Sequence, residues 1–377
     1  MHVVSVQTSN ERGGGEYANV DLLQGLAQRG VRVSLLTNFP ELADGTEVPV
    51  RPIDLGPKLG RASATTVGVN FPRYLARLLK ALRAETADGP ADAVLLHYKK
   101  EQLMSRFVSR RVAKRVVWAE WGPLPFEFRS GPARAVYLAS ARRAEHIVAI
   151  SEGTRRTLVD AGVPAAKISV IPNLVDVAAL DFDPAARERL RAQWGATEGT
   201  FVIGCIARFQ HKKRNDVLID ALDHLPADAD VLLVLAGSGP DEGTLRARAA
   251  RHGARVRFLP TPRGYVEQVL SACDVQVFAP SPTEGAPRSV ILGQVVSRPV
   301  IATDAEGAAD LIPPGTGTIV SPPHDPAALA GVLEEYRADP ERRAREGAAG
   351  RAHALERYDP ERTLDAFAAV LDGRAGG

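Results

Sequence analysis

The stretch His2-Val3-Val4-Ser5-Val6-Gln7-Thr8, then Ser9-Asn10-Glu11-Arg12-Gly13-Gly14-Gly15-Glu16, then Tyr17 to Arg29, decides the fold. Its first part is an apolar run of strand length. Its last part places Leu22, Leu23, Leu26 and Ala27 on one helical face before Gly30 stops the helix. The result is a strand, a glycine turn and a helix. The next strand, Val31 to Thr37, follows at once, and the alternation repeats through Ala91 to His97, Arg115 to Ala119, His146 to Ile150 and Ile168 to Ile171. Strands alternating with helices predict an α/β fold with a parallel, doubly wound sheet.

After Pro172-Asn173-Leu174-Val175-Asp176 the pattern lapses into polar residues up to Thr200, and a second alternation starts at Phe201-Val202-Ile203-Gly204-Cys205. Its later strands fall near Val231 to Ala236, Arg255 to Leu259, Asp274 to Phe278 and Pro299 to Ala302. A chain of 377 residues suits two such bodies better than one core. The expected division is 1–176, a linker 177–199, and 200–359. The segment 360–377, apolar at Leu364, Phe367, Ala368 and Leu371, is expected to pack back on the first body. Both halves read as Rossmann-like, with the crevice between them as the default ligand site.

Composition narrows the class. A net charge of +2 gives no reason to expect a nucleic-acid partner. The two cysteines, Cys205 and Cys273, lie in apolar stretches and read as buried free thiols. No Cys and His cluster has metal-ligand spacing, so neither a metal nor another cofactor is expected. The N-terminus reaches Gln7 and Asn10 too soon for an export or spanning segment, which suggests a cytoplasmic protein.

The chemistry concentrates in the second half. Arg208 and Lys213 follow a buried strand at the end where open α/β sheets bind ligands, and together they match a diphosphate. Preorganised cations there would stabilise charge building on a departing phosphate oxygen. The plainer reading is a solvated Lys212-Lys213-Arg214 turn. Glu284 follows the loop Ala279-Pro280-Ser281-Pro282-Thr283 and precedes a helix starting near Arg288. A carboxylate there either accepts from sugar hydroxyls or simply favours the positive end of the helix. Gly14 and Gly15 would let backbone approach a phosphate.

Together these segments resemble the nucleotide-sugar glycosyltransferases of family 4. The resemblance covers the Gly-Gly-Gly-Glu turn, Arg29-Gly30, Ser151-Glu152-Gly153-Thr154, residues 171–176, Arg208 with Lys213, Gly237-Ser238-Gly239-Pro240, Glu284-Gly285 and Pro299-Val300-Ile301-Ala302-Thr303. It implies a GT-B fold, two facing Rossmann-like domains with parallel sheets and an interdomain cleft. The implied reaction is metal-independent transfer of a hexosyl group to an acceptor hydroxyl, with retained anomeric configuration. The products would be cell-surface glycans, glycolipids or secondary metabolites. The resemblance gives Arg208 and Lys213 the donor diphosphate and Glu284 the donor sugar. Gly14, Gly15, Gly237, Pro260, Gly285, Ala286, Pro287, Arg288 and Ser289 complete the donor side.

Two positions depart from the family pattern. Where the family carries a second glutamate for the donor ribose, this chain has Leu292, which leaves Gln294 as a substitute or points to a deoxyribose donor. Where members place a histidine near the transferred sugar stands Trp121, with His97 and Glu120 as substitutes. These departures motivate the alternative of a catalytically impaired protein that binds nucleotide sugars or serves as a partner subunit. A sugar-nucleotide epimerase would need a carboxylate pair that the sequence does not offer. Finally, the segment 99–115 reads as a basic, partly apolar helix with Lys99, Lys100, Arg106, Arg110, Arg111, Lys114 and Arg115. It is either a solvated flank or a peripheral membrane contact, and vesicle sedimentation separates the two.

Overall fold

The computed structural model describes residues 1–9, 13–260, 265–280, 284–305 and 307–374, with the side chain of Arg61 left out. The chain divides into two compact units, 1–174 with the segment from Pro360, and 175–359.

The first unit holds seven strands, β1 (His2–Gln7), β2 (Arg32–Thr37), β3 (Val50–Pro52), β4 (Ala91–Leu96), β5 (Ala113–Glu120), β6 (His146–Ala149) and β7 (Ile168–Val170). They pair in the order β3-β2-β1-β4-β5-β6-β7, all parallel. The strands are legible as Val, Ile and Leu runs because helices bury both faces of a parallel sheet. Helix Pro360–Asp372 lays Leu364, Phe367, Val370 and Leu371 into one core with Val20, Leu23 and Leu26 of helix Gly14–Gln28. Gly25 fits that crossing closely, since a β-carbon there would meet Leu364 Cδ2 at 2.8 Å.

The second unit holds β8 (Phe201–Ile206), β9 (Val231–Ala236), β10 (Val256–Leu259), β11 (Val275–Phe278), β12 (Val300–Thr303) and β13 (Gly317–Val320). Their order is β10-β9-β8-β11-β12-β13, again all parallel. In each sheet the strand order reverses beside the unit's first strand, at β1/β4 and at β8/β11. Ligands of doubly wound folds bind outside the strand ends at that reversal.

Three sequence expectations change. The stretch 177–199 is not a bare linker, because it contains helix Pro184–Trp194, which buries Ala186, Leu190 and Trp194 in the second unit. Arg187 and Arg191 of this helix bond Asp274 at 2.6 and 3.2 Å, and Asp274 also accepts the Val202 amide at 2.8 Å. Second, 99–115 is not one basic helix. Its helical part is Lys99–Met104, the chain turns through Ser105–Phe107, and Ala113 already belongs to β5. Lys99 and Lys100 point inward, Lys99 to Glu120 and Lys100 to the carbonyls of Gly56 and Pro57 at 2.6 and 3.0 Å. Of that stretch only Arg106, Phe107, Ser109, Arg110, Arg111 and Lys114 remain exposed. Third, β3 and β13 are edge strands of three and four residues without a buried run, so periodicity does not flag them. No helix among the described residues is long and apolar enough to cross a membrane.

Asp274 makes the stability of the second unit pH-dependent. Burial alone would raise its carboxyl, but the Val202 amide, Arg187 and Arg191 outweigh burial and hold it below the usual aspartate value. A depressed folded-state value means the stabilisation is complete above about pH 4 and is lost as the pH falls through the folded value. Thermal unfolding of wild type and Asp274→Asn should therefore differ most near neutrality and converge below about pH 4. A constant gap across that range would rule out the carboxylate as its source.

Candidate active site

At the end of β8 the chain turns through Ala207, Arg208 and Phe209, makes a single tight turn over His211–Lys213, and passes Arg214 in a left-handed conformation (φ 47°). It then enters helix Asn215–Ala221. Buried contacts fix this path. Phe209 sits in the core and its amide bonds Ser238 O at 2.9 Å. Buried Asn215 donates to Arg208 O at 3.2 Å and accepts from Cys205 Sγ at 3.3 Å. Arg214 is spent locally on Asp216 at 3.0 Å.

The turn leaves His211 and Lys212 in solvent and sends Lys213 inward. Its Nζ bonds Glu284 Oε2 at 2.7 Å and stands 5.2 Å from the centre of the Phe278 ring, the last residue of β11. The lysine side chain is 12% exposed and the glutamate 20%. Arg208 is half-buried on the same turn. Thus the strand ends of β8 and β11 bring a cation and a carboxylate together at the sheet's reversal point. Sequence spacing places them 71 residues apart.

The other donor-side positions divide by the cause of their burial. Gly237 follows the last residue of β9, and a β-carbon there would overlap the carbonyl oxygen of Ala207. Gly239 (φ 159°) lies equally close to the backbone of Phe209. These glycines let two strand-end turns nest, so Gly237 acts through the shape of the Arg208 turn. Gly285 and Ala286 are buried, Pro287 caps helix Arg288–Val295 in an extended conformation, and Arg288 and Ser289 are half-buried in its first turn. Pro260 is exposed just past β10. Ser281, Pro282 and Thr283 lie outside the described residues.

Leu292 is half-buried and packs, as Leu259, Tyr265 and Val266 do, against an apolar cluster that includes Val269, Leu270 and Val296. Gln294 cannot stand in for the absent carboxylate. Two residues on along a helix it faces nearly the opposite way, is fully buried, and donates to Leu311 O at 2.6 Å. Cys205 and Cys273 are buried free thiols, and burial pushes both up to about 12.

In the first unit Gly14 and Gly15 open helix Gly14–Gln28, whose N-cap Gly13 supplies no side-chain cap. A β-carbon on Gly14 would meet nothing within 4 Å, and on Gly15 only Trp121 at 3.7 Å. Steric fit does not demand glycine at either place. Glu120 is removed from the sugar-side candidates. It is buried, paired with Lys99, and accepts from Tyr137 OH at 2.9 Å, inside the core of the unit. His97 is also buried, and burial lowers it to about 3, so it is neutral at working pH and no general acid. Trp121 remains half-exposed beside it.

A further residue, Glu16, carries no assignment from sequence. Its buried carboxylate accepts from Ser9 Oγ at 2.7 Å, from Lys58 Nζ at 3.2 Å and from Tyr98 OH. Burial would raise it, yet Lys58, Tyr98 and Ser9 hold it below the usual glutamate value. An acid in the first turn after the glycines was the only local signal, because Lys58 and Tyr98 lie 42 and 82 residues away.

Comparison with known proteins now bears on this arrangement. Residues 12–179 match Glycosyltransferase Family 4, and residues 186–353 match Glycosyl transferases group 1. The chain is 30% identical over 290 residues to a GDP-mannose-dependent alpha-(1-6)-phosphatidylinositol monomannoside mannosyltransferase of Mycolicibacterium smegmatis, covering 72% of this chain and 74% of that protein. The chain is a family 4 glycosyltransferase. A relative from Corynebacterium glutamicum, a GDP-mannose-dependent monoacylated alpha-(1-6)-phosphatidylinositol monomannoside mannosyltransferase, is 35% identical over 195 residues, 48% of this chain and 50% of that protein. Among solved structures, Anabaena Alr3699/HepE in complex with UDP-glucose superposes with a TM-score of 0.83 at 23% identity, covering 99% of this chain and 100% of that one. That likeness places this family 4 glycosyltransferase in the GT-B fold.

Proposed function

We propose that the chain moves a hexosyl group from a nucleotide diphosphate sugar to an acceptor hydroxyl, with retention and without a metal ion. The acceptor would belong to a cell-surface glycan, a glycolipid or a secondary metabolite. The observation that carries this reading is the inward-turned Lys213, bonded to Glu284 at the β8/β11 reversal. As the bond from the anomeric carbon to the β-phosphate oxygen breaks, the electron pair goes to the diphosphate. Lys213 and Arg208 stabilise that charge in place of a metal ion. Lys213 takes one oxygen of Glu284, and the other, Oε1, would accept from hydroxyls of the donor sugar. The acceptor oxygen forms the new bond on the face the diphosphate leaves and gives up its proton to that leaving group. Gly14 and Gly15, at the start of helix Gly14–Gln28, offer backbone amides that suit an anion.

Release of free nucleotide from UDP-glucose and GDP-mannose by the purified protein, with the product's anomeric configuration read by NMR, tests the reading. Binding without release would favour the partner-subunit alternative.

The apolar setting of Leu292 supports a donor grip that does not hold the ribose diol. Competition by UDP, GDP and dTDP should then show little penalty for the missing 2′-hydroxyl. Leu292→Glu should shift the preference toward the ribonucleotides. A strong wild-type preference for either ribonucleotide over dTDP would sink this part of the reading.

A further inference from the structure

We propose that the indole of Trp121 is a stacking platform for a pyranose ring, and that buried His97 is the positioning residue that holds it. This rests on the glycosyl-transfer reading above.

Trp121 follows the last residue of β5 and is half-buried. Its one polar atom faces inward, since Nε1 donates to His97 Nδ1 at 2.8 Å. The two rings lie within 11° of parallel, their centres 5.6 Å apart. Because Nδ1 accepts, the histidine hydrogen sits on Nε2, which donates to Ser5 Oγ at 2.8 Å. Ser5 in turn donates to Asn19 Oδ1 at 3.3 Å, and Asn19 donates to Gln7 Oε1 at 2.5 Å. All four supporting residues are buried.

The low value to which burial drives His97 keeps the ring neutral, and the indole N–H on Nδ1 selects the tautomer. A chain of buried hydrogen bonds running from Gln7 Oε1 through Asn19, Ser5 and His97 to the indole specifies the plane of that ring. With the N–H turned inward, the half of the ring left uncovered offers only π surface. Such a surface selects the C–H face of a sugar. The ring lies beside Gly15, next to the helix start assigned above to the diphosphate. The pyranose is that of the donor or that of the acceptor, and the arms of the experiment separate them.

Removal of the ring in Trp121→Ala should raise KM for the stacked substrate roughly tenfold, the order expected for one aromatic contact. Trp121→Phe should keep most of the affinity. His97→Leu should reproduce the loss, and His97→Asn, whose Oδ1 can accept from the indole, should restore it. Tryptophan fluorescence reads binding without turnover. Trp118 and Trp194 are buried, so Trp121 is the ring that responds. Quenching by UDP-glucose or GDP-mannose beyond that by UDP or GDP, lost in Trp121→Phe, assigns the donor sugar. Quenching by methyl α-glucoside or methyl α-mannoside, lost in the same variant, assigns the acceptor.

The proposal is overturned by no sugar-dependent quenching in wild type, or by unchanged KM for both substrates in an active Trp121→Ala protein. If wild type neither binds nor turns over any nucleotide sugar, the glycosyl-transfer reading fails first and takes this proposal with it.

Discussion

Arg208→Ala and Lys213→Ala should each lower kcat by two to three powers of ten, with far less effect on thermal stability. The magnitude is that of losing one preorganised donor to a developing oxyanion, about 10²–10³ in rate. Among the described residues Lys213 has one ion-pair partner, Glu284, and both side chains are partly exposed, so deleting it leaves no deeply buried charge behind. Lys213→Arg is expected to recover only part of the rate, because a planar fork does not reproduce an ammonium seated 2.7 Å from one carboxylate oxygen. Glu284→Gln should also lower turnover, by loosening the ammonium and weakening the sugar contact together. Single-turnover kinetics measures the chemical step directly. Near-normal rates in both cation variants would remove the electrostatic account of leaving-group departure.

Gly237→Ala should be a damaging single methyl in the second unit, and one that strikes the turn carrying Arg208. The added carbon would overlap the Ala207 carbonyl oxygen, and its next contacts are the Ala207 carbonyl carbon at 3.0 Å and the Phe209 ring at 3.3 Å. Backbone cannot swing aside as a flexible side chain can, so the β9 turn must separate from the turn that carries Arg208. Overpacking of this kind costs about 1–3 kcal/mol, which for a body of this size is a melting-point fall of roughly 2–12 °C. Because the displaced turn bears Arg208 and Lys213, kcat/KM should drop at least tenfold even at temperatures where the variant is folded. Gly14→Ala is the contrast. It adds a methyl into open space without a left-handed φ, so its melting point should stay at the wild-type value while activity falls. Equal melting points for Gly237→Ala and wild type would show that the nested turns yield more easily than their geometry suggests.

The parallel sheets were legible because their strands are buried on both faces and read as unbroken apolar runs, Val231 to Ala236 being the plainest. What escaped was held by partners distant in sequence. Helix Pro184–Trp194 looks polar because its grip on the second unit comes from Arg187 and Arg191 reaching Asp274, more than 80 residues on. Lys99 and Lys100 read as solvated for the same reason, since Glu120 and the Gly56 and Pro57 carbonyls reach them only in the folded chain. At the candidate site, motif order named Lys213 and Glu284 separately, and only strand order places one against the other. Gln294 shows the reverse limit. Chemically it could replace a carboxylate, but helix phase turns it away.

The return of helix Pro360–Asp372 to the first unit sets a schedule for biosynthesis. The groove formed by Val20, Leu23 and Leu26 is made long before the helix that covers it. The residues that cover it follow only after the 185 residues of Val175–Asp359. At about 5–20 residues per second that interval is roughly ten to forty seconds. Throughout it the nascent N-terminal body carries an uncovered greasy flank, a target for chaperones, until the residues from Pro360 on are made.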